Sequence, residues 1–135
     1  VVDLPLEERE KLWYGPAGSY THKAVIAARD TYAPAPMVEL VAAPQWAARS
    51  LSATAAAISV PVYHALAEFD ALWDSSEAAR REFLAAFCFD IAVESEIVPG
   101  VGHCIDHHLL GASIAYKQLA FAHSCWCAHK DRSVA

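Results

Sequence analysis

Two groups of residues in this 135-residue chain could do chemistry. The first is the turn Gly15-Pro16-Ala17-Gly18 with the polar cluster Ser19, Tyr20, Thr21 and His22 behind it. Glycines let a backbone approach a ligand closely, and a helix start offers unpaired N–H groups at the positive end of its dipole. With Ser and Thr hydroxyls added, such a place binds anions, carboxylates included. The same residues also suit a plain turn with Ser19 as N-cap, and the sequence leaves both readings open. The second group is His103, Cys104, His107 and His108 together with His123, Cys125, Cys127 and His129. Side chains of these types hold zinc when four of them converge. Neither cluster has a paired C-x-x-C, HCIDHH has no established ligand spacing, and Cys is commonly a small buried apolar residue. No metal or other cofactor is therefore expected.

The elements that must position these residues follow from apolar spacing. After a charged lead-in, Leu12–Gly15 reads as a strand, and Gly18 to about Tyr32 as a helix with Ala24, Val25, Ala27 and Ala28 at helical spacing, ended by Pro34 and Pro36. Met37–Ala43 reads as a second strand. Pro44 suits the first turn of a helix that continues from Gln45 to Ala56. Ala57–Tyr63, AISVPVY, is a third, nearly all-apolar strand. Continuous apolar strands alternating with helices predict a parallel sheet covered on both faces, so the first half is expected to be βαβαβ. His64–Phe87 reads as helical with a break at Asp74-Ser75-Ser76, and Cys88–Val98 as extended, with Glu94 and Glu96 on its wet face. Val101–Leu110 is a further extended piece, and Leu119–Ala122 a last apolar stretch before a helix opening at His123.

Composition narrows the partners. The net charge of −6 and the absence of a basic run argue against nucleic acid and against an anionic membrane surface, while a small acidic metabolite needs only local positive potential. The length suits one domain. The four cysteines are not spaced as a disulfide framework, and Cys125 and Cys127 are too close for an ordinary bridge. With no leader pattern and no apolar run of about 20 residues, the expectation is a cytoplasmic protein.

GPAGSYTHKA, Gly15–Ala24, resembles the G-P-x-G-(S/T)-(Y/F)-(S/T)-x-x-A signature of the prephenate dehydratases. Val60-Pro61-Val62 matches the start of that family's V-P-I-E-N-S, Glu96-Ile97-Val98 with His103-Cys104-Ile105 resembles E-I-V-x-x-x-x-H-C-L, and Phe121–Ser124 stands where the family has a strand followed by S-H-P. The four matches keep the family's order from Leu12 to about Ser124.

The resemblance implies an α/β fold with a parallel or mixed sheet and flanking helices, like the periplasmic binding proteins. A first lobe would span about 12–87, and a crossover with a truncated second lobe 88–135, all one domain over 1–135. Ligand would lie beyond the carboxyl ends of the strands. The implied substrate is prephenate, a cyclic dicarboxylate, and a homodimer is expected to complete the cleft. Gly18, Ser19, Tyr20, Thr21, Tyr63, His123 and Ser124 are the candidate substrate-binding residues, and His22, His64 and Thr21 the catalytic ones. His22 also suits a solvent-facing helical position. His103 reads as structural, its ring hydrogen-bonded beneath the cleft. The implied reaction is decarboxylation of prephenate with loss of water to phenylpyruvate. Yet Tyr63, His64 and Ala65 replace the family's Glu-Asn-Ser, and no Thr-Arg-Phe tripeptide, the family's donor to departing hydroxide, occurs. Two alternatives therefore stand: decarboxylation that retains the hydroxyl, with histidine delivering a proton to the ring, and binding of an aromatic acid without turnover.

Overall fold

The computed structural model describes residues 3–31, 33–34 and 36–133. In chain order they form α1 (Leu6–Trp13), α2 (His22–Thr31), α3 (Met37–Ala56), β1 (Val62–Phe69), α4 (Glu77–Ala85), β2 (Val93–Gly102), a 3-10 turn (Ile105–His107) and α5 (Gly111–Ser133). The fold is α/β, and its sheet is a parallel pair, β1 beside β2. Parallel strands cannot be joined by a hairpin. Here α4 makes the crossover, opened by Ser76, whose hydroxyl accepts from the Ala79 amide at 3.1 Å.

Register runs from Val62 opposite Val93 to Ala67 opposite Val98, with an irregularity before Phe69 meets Gly102. Side chains alternate across a strand, so the sheet has two distinct faces. Ala67, Val98 and Val101 form the core with Ile114 of α5, and Ala65 and Ile105 pack against them. Removing a Val side chain fully from water stabilises by about 1.5–3 kcal/mol. Val98 and Val101 are so removed. The opposite face carries His64 and Leu66 toward α3 and α4.

The opening segment is tied to the end of β2 by two glycines. Gly15 has φ +72°, and the Gly102 nitrogen lies 2.7 Å from where a Gly15 Cβ would stand. The Cys104 amide donates to the Trp13 carbonyl at 2.8 Å, and Tyr20 forms an antiparallel bridge with His108. The Tyr14 ring, 4% exposed, stacks on His107 and lies 5.1 Å from Tyr20.

Four expected strands are corrected. Leu12–Gly15 belongs to the end of α1, where Glu7 and Glu8 in the first turn and Lys11 in the last suit the helix dipole. Met37–Ala43 is the beginning of α3, and Pro44 lies inside that helix rather than at its first turn, removing one amide donor. Leu119–Ala122 lies within α5, which runs unbroken through His123. Ala57–Pro61 precedes β1, so the third expected strand is shifted toward the C-terminus. The βαβαβ expectation thus reduces, among the described residues, to one βαβ unit with helices before and after it. The expected helix over His64–Phe87 is strand β1, a loop and α4, and the extended piece over Val101–Leu110 ends at Gly102.

Candidate functional site

At the opening turn, the Ser19 amide and the Ser19 and Thr21 hydroxyls, three of the groups that could bind an anion, are used inside the chain. The Ser19 amide donates to the Pro16 carbonyl at 3.1 Å, and its hydroxyl donates to the same carbonyl at 2.6 Å. The Thr21 hydroxyl accepts from the Ala24 amide at 3.1 Å, an N-cap on α2. Gly15 brings its backbone against Gly102, and Gly18 is exposed. His22 is exposed at the first residue of α2 and is absent from the walls of the cavities described below.

A cavity of about 550 Å³ lies between the sheet and helices α3 and α4. Its walls are largely apolar, with Trp46 of α3, Trp73 of the loop after β1 and Phe83 of α4 among them, and its polar groups are His64, Asp70, Asp74, Arg80 and His103. Asp70 is the first residue past β1 and His103 the first past β2, so both stand at the carboxyl ends of parallel strands. They are paired: Nδ1 of His103 lies 2.9 Å from Oδ2 of Asp70. The other carboxylate oxygen accepts from the Leu72 and Trp73 amides at 2.8 and 3.0 Å, which fixes the carboxylate, 3% exposed, and the loop behind it. A carboxylate on Nδ1 sets the ring orientation and leaves Nε2 to exchange a proton with a ligand. Arg80 brings positive charge to the wall. Its Nε donates to Glu77 at 2.9 Å and its Nη1 to the Ser95 carbonyl at 3.1 Å.

His64 lies on the same wall, its ring stacked 4.3 Å from Phe83 and its Nδ1 3.1 Å from the Ser95 hydroxyl. Burial, and secondarily the Arg80 charge, push its pKa below the ordinary histidine value. It is therefore a neutral imidazole at pH 7, better suited to accept a proton than to donate one. The unfolded chain binds this proton near pH 6.5, the folded chain only at lower pH. Stability is then fully present above about pH 6.5 and falls as pH drops from there through the folded value. His64→Gln is expected to flatten that part of the acid limb in urea titrations taken from about pH 7 to 5. An acid limb as steep as in the parent would contradict the assignment.

Tyr63 faces the opposite side, toward α5. With Glu94, Ser95, Glu96, Lys117, Phe121 and Ser124 it lines a second cavity of about 470 Å³. Its hydroxyl donates to Glu96, and burial with that bond pushes its pKa up to about 12. Lys117 donates to Glu96 at 2.6 Å, and this bond, with that from Tyr63, holds the Glu96 carboxyl below its usual range. Glu96, expected only as wet strand surface, is thus the acceptor in a three-member network. Ser124 donates back to the Ala120 carbonyl at 3.0 Å inside α5. His123, expected after a strand, is an exposed helical residue. Tyr63 and Ser124 therefore share the second cavity and His64 lines the first, while Tyr63, His64 and His103 also meet in the walls of a third, of about 450 Å³; Ser19–Thr21 line none of the three.

Within the HCIDHH cluster His108 is engaged internally, while the Nδ1 of His107 is buried without a hydrogen-bond partner among the described residues. His108 Nε2 lies 3.0 Å from the Gly100 carbonyl, and its Nδ1 accepts from the Leu110 amide at 2.9 Å. Burial raises the Cys104 thiol to about 11, so it is protonated at neutral pH. Among the described residues no group of three or more His, Cys, Asp or Glu converges as a metal site, and no helix is long and apolar enough to cross a membrane. Comparison with models of known protein families, with curated proteins and with solved structures gives no match to this chain.

Asp70, Arg80, Trp46 and Trp73 fall outside the residues that the sequence motifs single out, and His103, expected to be structural, stands in the cavity wall. The signal for Asp70 and His103 was the strand-end rule itself. Applied to β1 ending at Phe69 instead of Tyr63, and to β2 ending at Gly102 instead of Val98, it selects these two residues.

Proposed function

We propose that this chain is a prephenate-processing lyase whose substrate occupies the cavity between the sheet and helices α3 and α4. The observation that carries the reading is the Asp70–His103 pair at the carboxyl ends of two parallel strands, opening on an aromatic-walled space with Arg80 in its wall. A volume of about 550 Å³ is within the range of small-molecule sites, and tryptophan and phenylalanine faces suit a cyclohexadiene ring. The resemblance in motif order from Gly15 to Ser124 is what supports prephenate as the substrate class.

Arg80 holds a carboxylate, and the apolar walls favour loss of the charged carboxylate as neutral carbon dioxide. Prephenate dianion plus one proton gives phenylpyruvate monoanion, carbon dioxide and water. That proton is delivered from Nε2 of His103, whose ring Asp70 orients through Nδ1, and lands on the departing hydroxyl. The imidazole then regains a proton from solvent. Without a Thr-Arg-Phe donor beside the hydroxyl, a second outcome has specific support: the same proton lands on a ring carbon, and the product keeps its hydroxyl and stays non-aromatic. Each route consumes one proton, so one imidazolium serves either.

Incubation with prephenate, followed by product identification, tests the proposal. Phenylpyruvate is the expected product and a non-aromatic keto acid supports the second outcome. Prephenate recovered unchanged after prolonged incubation, whether bound or free, would overturn the lyase reading.

A further inference from the structure

The opening turn Gly15–Thr21 lines none of the three cavities described above, yet with the residues just before it this segment holds the chain around His103. His103 stands one residue past β2, where the strand ladder no longer fixes the backbone. On one side of it the Gly15 backbone closes on Gly102: a Cβ at Gly15 would meet the Gly102 nitrogen at 2.7 Å and its Cα at 2.9 Å. On the other side the Cys104 amide donates to the Trp13 carbonyl at 2.8 Å. Further along, the Leu109 amide donates to the Ser19 carbonyl at 3.0 Å, Tyr20 bridges His108, and the Tyr14 ring stacks on His107. Residues 102–109 are thus braced by one segment that is distant in sequence. Ser19 shapes that segment, since its hydroxyl donates to the Pro16 carbonyl at 2.6 Å and lies 3.3 Å from the Tyr14 carbonyl.

A ring that must deliver a proton tolerates little displacement, and a misplacement of about 1 Å can cost on the order of 10²-fold in rate. Asp70 fixes the His103 ring through Nδ1, but only while the backbone that carries the ring stays in place. We propose that the segment Trp13–Tyr20 is a positioning element for His103, with Tyr14 and Gly15 its positioning residues, so that this motif serves the site without touching substrate. The catalytic part of the inference rests on the lyase reading, and the positional part stands without it. Gly15 is needed there for two reasons: its φ of +72° is unfavourable for an L-residue, and a side chain would press on the Gly102 backbone. Gly18, at φ +89°, has nothing within 4 Å of a Cβ, so alanine there brings the strain without the push. Tyr14 is buried and lies between His107 and Tyr20, so phenylalanine keeps its ring contacts and leucine removes them.

The test compares the full chain with Gly15→Ala, Gly18→Ala, Tyr14→Leu and Tyr14→Phe by two readouts: steady-state kinetics on prephenate, and the nitrogen chemical shift of His103 Nδ1, which reports its contact with Asp70. Gly15→Ala and Tyr14→Leu are expected to lose about 10- to 10²-fold in kcat with KM within a few-fold of the parent, and to move the Nδ1 signal. Gly18→Ala and Tyr14→Phe should match the parent in both. Circular dichroism checks folding, and if Gly15→Ala does not fold, Tyr14→Leu against Tyr14→Phe decides. An Nδ1 signal unmoved in the folded variants would overturn the inference, whatever happens to prephenate. A moved signal with kcat unchanged would overturn its catalytic part. A parent chain that leaves prephenate untouched would overturn the lyase reading instead, and the Nδ1 signal alone would then decide the positional claim.

Discussion

Under the proposed lyase reading, replacing Asp70 by asparagine is expected to lower kcat for prephenate by about 10²- to 10⁴-fold while leaving KM within a few-fold of the parent. The asparagine keeps the size of the side chain and can still accept from the Leu72 and Trp73 amides, so the loop after β1 retains its anchors. What it cannot do is stabilise a protonated His103, because the charge that faces Nδ1 is gone. His103→Gln should cost a similar factor, and the double variant should be no worse than either single one, since two members of one proton-donating unit are not additive. Steady-state kinetics of the three proteins check this. A KM change without loss of kcat would mean that the pair holds the substrate and does not transfer a proton.

The second large effect is structural. Gly102→Ala is expected to destabilise the chain by about 3 kcal/mol, a drop of roughly 10 °C in Tm for a domain of this size. A Cβ there would stand within 3.0 Å of three backbone atoms of Tyr14 and Gly15, and backbone cannot swing aside as a flexible side chain can. The residue beside it is His103, so whatever movement relieves the clash also shifts the imidazole away from Asp70, and activity falls with stability. Gly18→Ala is the comparison: its φ of +89° is unfavourable for an L-residue, but its Cβ would meet nothing within 4 Å. That change should cost only about 1–2 kcal/mol. Calorimetry on both variants measures the difference, and equal losses would contradict the proposed role of the close Gly15–Gly102 approach.

Part of this was legible in the residues alone. The α/β class, the helix after Thr21, the helix through Gln45–Ala56 and the extended character of Val93–Val98 follow from apolar spacing. The strand ends did not follow, for an identifiable reason. Leu66 and Phe69 of VYHALAEF, with Leu72 and Trp73 after it, mimic a helical stripe, while the alternation of Tyr63, Ala65 and Ala67 against His64 and Leu66 is the one the fold uses. Alanines blur that alternation, since they are indifferent to either face. Met37–Ala43 misled in the other direction: Val38, Leu40 and Val41 favour a strand locally, yet Pro36 before them and Glu39 in the first turn serve a helix start, and Pro44 is tolerated within it. The glycines near the N-terminus were legible as points of close backbone approach, but the partner is Gly102, nearly ninety residues away, which no local pattern reveals. A shift of a few residues in each strand end moved the site from Tyr63 and His64 to Asp70 and His103.

Entry of prephenate into the cavity bounded by β1, α3 and α4 is read from nitrogen–proton correlation spectra of the labelled chain titrated with it. Shifts are expected at the Trp46 and Trp73 indoles, the Arg80 guanidinium and the backbone around Asp70 and His103, with Ser19, Tyr20 and Thr21 unmoved and binding retained when Ser19 and Thr21 are both replaced by alanine. Shifts centred on Ser19–Thr21, with the two indoles unchanged, would contradict it.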